Sequence, residues 1–300
     1  MTPTISGDDT DTFPIITDAG AVAAPVSESV PHQWQIGDIL AGRFVLQQRL
    51  GRRRYGPVFK ALDRVLSEPL LGVEHHVALE ELPPRIAEQT TLIERLEQLR
   101  LHPQSWSHPN IAKVLEFGRD GAKYFVCEQL LEGASLRVVL EASAPDALEE
   151  HEVLGIVRYV GDALNYAHAK GIVHGDLQLD NVFVTEAYEV KLTGFLPSTE
   201  PRPDPVFVED RSTAGQPHPS DDVYGLACLA YELLTRRHPY DGNTPLEALR
   251  AGLTAHPALN LSPPRWQALS RGLALRREQR TPTIAEFLMG LGVTGVETLR

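Results

Sequence analysis

The amino-acid sequence predicts an α+β fold in two parts, a β-rich first half that carries one helix and a mainly helical second half. Three observations predict it. Up to residue 131 the apolar residues come in short runs rich in Val, Phe and Leu, broken by turn residues. After EGAS (132–135) they recur at helical spacing through long segments. Ahead of both, residues 1–36 carry five acids and no Lys or Arg, with too little apolar surface to offset the entropy of folding. The expected division is therefore a disordered acidic tail (1–36), a β-rich part (37–131) and a helical part (132–300).

In the β-rich part, GRFVLQQRLG (42–51), GPVFKALD (56–63) and HHVALEEL (75–82) read as strands. TTLIERLEQLRL (90–101) places apolar residues at 92, 93, 96, 99 and 101, the stripe of an amphipathic helix. IAKVLEFG (111–118) and KYFVCEQL (123–130) are two further strands around the turn RDGA. In the helical part, SLRVVLEA and EEHEVLGIVRYVGDALNYAHAKG (149–171) are periodic, and Gly171 is placed to stop the second helix. NVFVTE and YEVKLTG are short strands, and a loop rich in Pro, Asp, Glu and Ser covers 197–221. DDVYGLACLAYELLT (221–235) is apolar almost all round, as a buried helix is. Short helices with Pro-rich joints complete the chain, and no internal repeat is found.

The whole composition removes several classes of function. A net charge of −12 argues against nucleic acid or an anionic membrane as the main partner. Two cysteines, Cys127 and Cys228, exclude a disulfide scaffold and a four-cysteine zinc site, and they suit a reducing compartment. No run approaches 18 apolar residues, and MTPTISGDDTDTFP has neither the basic nor the apolar region of a secretory signal. The expectation is a cytoplasmic protein without a membrane span.

The same segments carry an ordered set of local motifs. LGRRRYGPVFKA stands where a glycine-rich loop would, VALE where VAIK would, then HPNI, CEQL, HGDLQLDN for HRDLxxxN, VKLTGFL for VKLTDFG, and DVYGLACLAYELLT. By these the chain resembles bacterial Ser/Thr protein kinases over roughly residues 40–300. The resemblance implies a two-lobed protein-kinase-like fold, with an N-lobe at 37–131 and a C-lobe at 132–300. It implies nucleotide-contacting positions at Gly51, Gly56, Val58 and Ala78, a gatekeeper at Cys127, a hinge at Glu128–Leu130, and Phe183 below the base. It further implies that Asp222 pins the catalytic loop, that His174 is structural, and that the late Arg280 pairs with Glu209 or Asp210.

The departures lie where the chemistry would be. Arg53 replaces the middle glycine of the loop, and reads either as an exposed hairpin tip or as a guanidinium in the phosphate site. Glu80 replaces the phosphate-gripping lysine; of five lysines only Lys60 is near enough to substitute. Gly194 replaces the metal-binding aspartate and has no side-chain oxygen for Mg²⁺. Gly175 and Gln178 replace the arginine and lysine of the catalytic loop. Asp176, the substrate-hydroxyl base, and Asn181, a metal ligand, are retained at the family's spacing; they are either catalytic or hold the loop backbone. A buried Glu80 needs a cation, from Arg95 or Arg100 on helix 90–101 or from Arg53 or Arg54. The resemblance with these departures implies a pseudokinase, a regulatory or scaffolding protein-binding module in signalling, with no metal site and no cofactor unless ATP is held without Mg²⁺. The alternative is an active atypical Ser/Thr kinase, and a third reading puts the fold to work on a small molecule. Protein partners are expected through the acidic tail, where Thr10 and Thr12 stand among aspartates beside Phe13, Ile15 and Ile16.

Overall fold

Alternation along the strands decides the first layer of the fold. Strands β1 (Ile39–Leu40), β2 (Phe44–Arg52), β3 (Pro57–Asp63), β4 (His76–Leu82), β5 (Val114–Asp120) and β6 (Lys123–Gln129) form one antiparallel sheet in the order β1-β2-β3-β4-β6-β5. These come from a computed structural model that describes residues 34–53, 55–82, 94, 107–195, 218–258 and 260–293. By its contacts the chain divides into Met1–Trp34 and Gln35–Arg300, and every element named here belongs to the second unit. Thr10 and Thr12, Arg54, the stretch 90–101 apart from Glu94 (which is helical), and Glu209 and Asp210 lie outside the described residues.

Directly opposed residues of a sheet share a face. The β4–β6 ladder pairs Ala78 with Glu128, Glu80 with Val126 and Leu82 with Tyr124, so these six side chains share one face. The other face carries Leu79 opposite Cys127 and Glu81 opposite Phe125, and the Phe125 ring meets Phe44 edge-on at 5.6 Å. Two charged positions of one ladder, Glu80 and Glu128, are thus set side by side on a buried face.

The remainder is helical around a small sheet. β7 (Gly133–Ser135), α1 (Leu136–Ala142), α2 (Glu150–Ala169), β8 (Val182–Thr185) and β9 (Val190–Leu192) are followed by α3 (Pro219–Thr235), α4 (Pro245–Arg250), α5 (Pro263–Gly272) and α6 (Ile284–Gly290). The second sheet runs β7-β8-β9. α2 stops at Gly171, whose φ of +71° is costly for any residue with a Cβ. Val157, Val160 and Leu164 of α2 pack with Leu226, Ala230 and Leu233 of α3, and with Phe195 and Phe287, in one core. Each large apolar side chain buried there contributes about 1.5–3 kcal/mol. The predicted α+β architecture, the strands and the buried helix at 221–235 are all present. The HPNI motif joins the two parts: Leu192 donates to the Asn110 carbonyl (2.8 Å), and the Asn110 side chain donates to the Val190 carbonyl (2.8 Å).

Buried charge organises the helical part. The Asp222 carboxylate accepts from the backbone N–H groups of His174 (2.8 Å) and Gly175 (2.7 Å) and meets His168 Nε2 at 2.7 Å. Burial alone would raise this carboxyl, but the His168 hydrogen bond, the neighbouring histidines and the Gly175 N–H together hold it below the ordinary range. Arg280 donates to Asp221 (3.2 Å) and to the Ser220 carbonyl (2.9 Å), and Asp221 also receives Arg277 at 2.9 Å. Among the described residues the partner of Arg280 is therefore Asp221, at the start of α3. Replacing Asp222 by Ala strands two buried N–H groups, and is expected to lower stability by about 3 kcal/mol in urea titration. A loss within 0.5 kcal/mol would show that the loop from His174 is held by something else.

Candidate functional site

The site is built by a hairpin folding over a sheet face. β2 and β3 pair from Phe44↔Asp63 to Arg52↔Pro57, with register shifts at 46/48 and 49/51. Such bulges strengthen twist and bend a ribbon. Arg53 N–H donates to the Gly56 carbonyl at 2.9 Å and closes the tip. Tyr55 at that tip is buried, packing with Leu82, Phe117 and Val126. The tip is thus fastened onto the face that carries Glu80 and Glu128.

Arg53 completes the arrangement. Its Nη1 donates to Glu128 Oε2 at 2.7 Å and reaches Glu80 Oε2 at 3.5 Å. The three side chains are 12%, 3% and 3% exposed. Glu128 Oε1 accepts the Gly194 N–H at 3.2 Å; the Glu80 carboxylate also takes a backbone hydrogen bond from Tyr55, while among the described residues its Oε1 has no hydrogen-bond partner. Gly194 has φ of +80°, and a Cβ there would lie 3.5 Å from Arg53 Cδ and 3.9 Å from Asn181 Cγ. A side chain at 194 would be strained by that backbone conformation, and its Cβ would lie in ordinary contact with Arg53 and Asn181.

Among the described residues, one guanidinium faces two buried carboxylates. Burial, aided by Glu128 and opposed by Arg53, raises the Glu80 carboxyl to about 7. Burial lowers the Arg53 guanidinium, but Glu128 and Glu80 outweigh it, so its pKa is raised and it stays charged.

Two sequence expectations are decided here and one is corrected. Arg53 is inside, not an exposed tip. The cation meeting Glu80 is Arg53; Arg95 and Arg100 lie outside the described residues, and Lys60 stands opposite Ala78. Glu128 was expected as a hinge residue behind a gatekeeper at Cys127. Its register instead turns the Glu128 side chain onto Arg53, and Cys127 onto the other face, beside Glu116, Arg43 and Asp63. The reading was one residue out of phase, and period-two strands send such an error to the opposite face. Tyr55 was not singled out at all; an aromatic directly after an arginine run at a hairpin tip was the available signal.

Beside the triad opens a cavity of about 400 Å³. Gly51, Val58, Ala78, Leu130 and Phe183 line it, with Arg53, Asn181 and Thr193 also in its wall. Glu128 and Gly56 are not in the lining; a Cβ at Gly56 would sit 2.1 Å from the Glu81 carbonyl oxygen, so the glycine permits close packing on β4. Opposite the triad, Asn181 Nδ2 donates to the Asp176 carbonyl (2.7 Å) and to its Oδ2 (3.3 Å), and Gln178 donates to Asp176 Oδ1 (2.8 Å). Gly175 lies in this loop with its N–H on Asp222. His174 is buried, on the Thr193 carbonyl (2.9 Å) and edge-on to Phe195.

These groups do not suit Mg²⁺. Gly194 supplies no side-chain oxygen, the Arg53 side chain lies over it, and the Asn181 amide N–H groups point at Asp176. Among the described residues no cluster of three His, Cys, Asp or Glu is placed to hold a metal ion, and no helix is long and apolar enough to cross a membrane.

The raised Glu80 carboxyl fixes a pH dependence. Below the ordinary 4.5 both folded and unfolded chains carry the proton. Between 4.5 and about 7 only the folded chain keeps it, so stability falls as pH rises through that window. Glu80→Gln removes this titration. Relative to the variant, the native protein is expected to lose more than about 1 kcal/mol of stability between pH 5 and pH 8. Parallel stability–pH curves for the two would contradict the placement of Glu80.

Comparison with known proteins agrees with this architecture. Residues 44–281 match the protein kinase domain. Serine/threonine-protein kinase PkaA of Streptomyces coelicolor is 27% identical over 275 residues, covering 85% of this chain and 50% of that protein. Serine/threonine-protein kinase PknL of Mycobacterium tuberculosis is 28% identical over 254 residues, 78% of this chain and 58% of that one. The chain thus spans about half the length of these relatives. In structure it is similar to the PknI kinase domain of Mycobacterium tuberculosis, with a TM-score of 0.64, 24% identity, and coverage of 87% of this chain and 98% of that one. With the sheet, the buried helix and the motif order in agreement, the match over most of the chain shows that it belongs to the protein kinase domain family.

Proposed function

We propose that the chain is a pseudokinase, a kinase-fold module that binds proteins in a regulatory or scaffolding role and does not transfer phosphate. The observation that carries this reading is Arg53 lying between Glu80 and Glu128 and over Gly194. Phosphoryl transfer asks little covalent chemistry of a protein and much electrostatic positioning by cations and metal. Here the positions the resemblance assigns to the lysine and the metal ligand hold a carboxylate and a glycine, and the one cation among them is already engaged. A nucleotide, if held, is held without Mg²⁺. Protein partners reaching the module through the acidic segment around Thr10 and Thr12 belong to the same proposal, as does a cytoplasmic setting.

A second reading, an active atypical Ser/Thr kinase, is favoured by the side chains of Asp176 and Asn181 meeting at 3.3 Å and by the relatives named as Ser/Thr kinases. Radiolabelled ATP with Mg²⁺ and a generic protein substrate separates the two. The proposal expects incorporation at the level of a no-enzyme control, with Asp176→Ala indistinguishable from the native chain. Robust labelling that Asp176→Ala abolishes would establish the second reading.

A further inference from the structure

The connection from β3 to β4 holds apolar side chains out in water on an ordered frame. The Asp63 carboxylate accepts the backbone N–H groups of Val65 (3.0 Å) and Leu66 (3.3 Å). Ser67 Oγ donates to the Asp63 carbonyl (2.6 Å) and accepts the His75 N–H (2.9 Å). Further out, Glu68 and Val73 pair across the excursion, N–H to carbonyl, at 2.8 and 3.2 Å. A short 3₁₀ turn, Pro69–Leu71, closes the tip, with the Leu71 N–H on the Glu68 carbonyl at 2.9 Å.

This frame presents Val65, Leu66, Leu70, Leu71 and Val73. Leu70 is fully exposed, Val65 and Leu71 are 69% and 73% exposed, and Leu66 and Val73 are close to half exposed. A leucine that buries nothing adds no apolar stability to the fold, and several such residues on one connection make a patch of the kind that marks an interface. Because the backbone beneath is hydrogen-bonded, a partner that covers the patch orders little chain in doing so.

Charge and area point to the partner. Arg64 at the base of the excursion and Glu68 near its tip are both exposed, so the patch has an apolar centre with both signs at its margin. Such a surface is complementary to itself under a two-fold axis. Two excursions packed antiparallel, tip to base, set Arg64 of each copy beside Glu68 of the other. At roughly 100 Å² for a fully exposed side chain, the five offer about 300–400 Å² of apolar surface per copy. With the polar margin, two copies reach the low end of specific interfaces, about 1,200 Å² in total. That area suits a weak, reversible contact.

We propose that the connection 64–75 is a self-association surface, on which two copies of this chain pack antiparallel around Leu70 and Leu71 with Arg64–Glu68 pairs at the margin. The inference goes beyond the pseudokinase reading and asks nothing of the cleft; it holds whether or not phosphate is transferred.

Sedimentation velocity of the full chain from about 1 to 200 μM tests it, and a monomer–dimer equilibrium with a Kd of order 10⁻⁵ M is expected. Leu70→Ser with Leu71→Ser, at two exposed positions, should leave the melting temperature by circular dichroism unchanged and raise the Kd at least about tenfold. Arg64→Glu and Glu68→Arg should each weaken association alone, whereas an equal mixture of the two variants should recover it, since every pair across the two-fold axis is again opposite in charge. A native chain that stays monomeric throughout the range overturns the inference and leaves the patch to a different partner. A dimer unaffected by the two serines puts the contact elsewhere and overturns it equally. A mixture that associates no better than its components overturns the antiparallel pairing. Labelling from ATP is a separate readout, so failure here and failure of the pseudokinase reading are told apart.

Discussion

The contact on which the rest of the site depends is a single guanidinium shared by two buried carboxylates. A carboxylate on a strand interior costs several kcal/mol unless a cation meets it, and Glu80 and Glu128 are adjacent on one sheet face. Arg53 answers both, and to do so the β2–β3 hairpin must lie down on the sheet. Tyr55 fastens the same tip through apolar contact, so charge and packing favour one closed geometry. Gly194 lies against the Arg53 side chain, and its left-handed backbone (φ +80°) favours a residue without a Cβ. Arg53, Glu80, Glu128 and Gly194 thus form one contiguous cluster.

The neighbouring loop has kept its frame. Asp222 still gathers His168, His174 and Gly175, and Asn181 still spans the loop to Asp176. In the family resemblance those contacts serve catalysis, but they also satisfy buried backbone N–H groups, and that need persists whether or not phosphate is transferred. A fold can therefore retain Asp176 and Asn181 for reasons internal to the loop, while the face opposite them changes its charge.

Much of the architecture was legible in the sequence because its signals are local. Period-two runs marked the strands, a long 3.6-residue period marked α2 and α3, and Gly171 marked a helix stop. The triad was only half legible. A carboxylate at 80 announced the need for a cation, but four arginines were within reach along the chain, and the choice of Arg53 depends on how the bulged hairpin bends. The resemblance placed Cys127 and Glu128 by motif alone, and the middle of Lys123–Gln129 is buried on both faces, at Phe125, Val126 and Cys127, so hydropathy does not say which face Glu128 takes. Only pairing with β4 settles it.

The central claim is that Arg53 and Glu128 are energetically coupled in the folded protein. A double-mutant cycle of Arg53→Met and Glu128→Gln, read by urea unfolding at pH 7, measures that coupling directly. The account predicts that each single substitution is destabilising and that the pair is non-additive by more than about 1 kcal/mol, as breaking a buried ion pair strands the remaining charge. Effects that add within about 0.3 kcal/mol would mean that Arg53 points to solvent and that the closed hairpin described here is not the native arrangement.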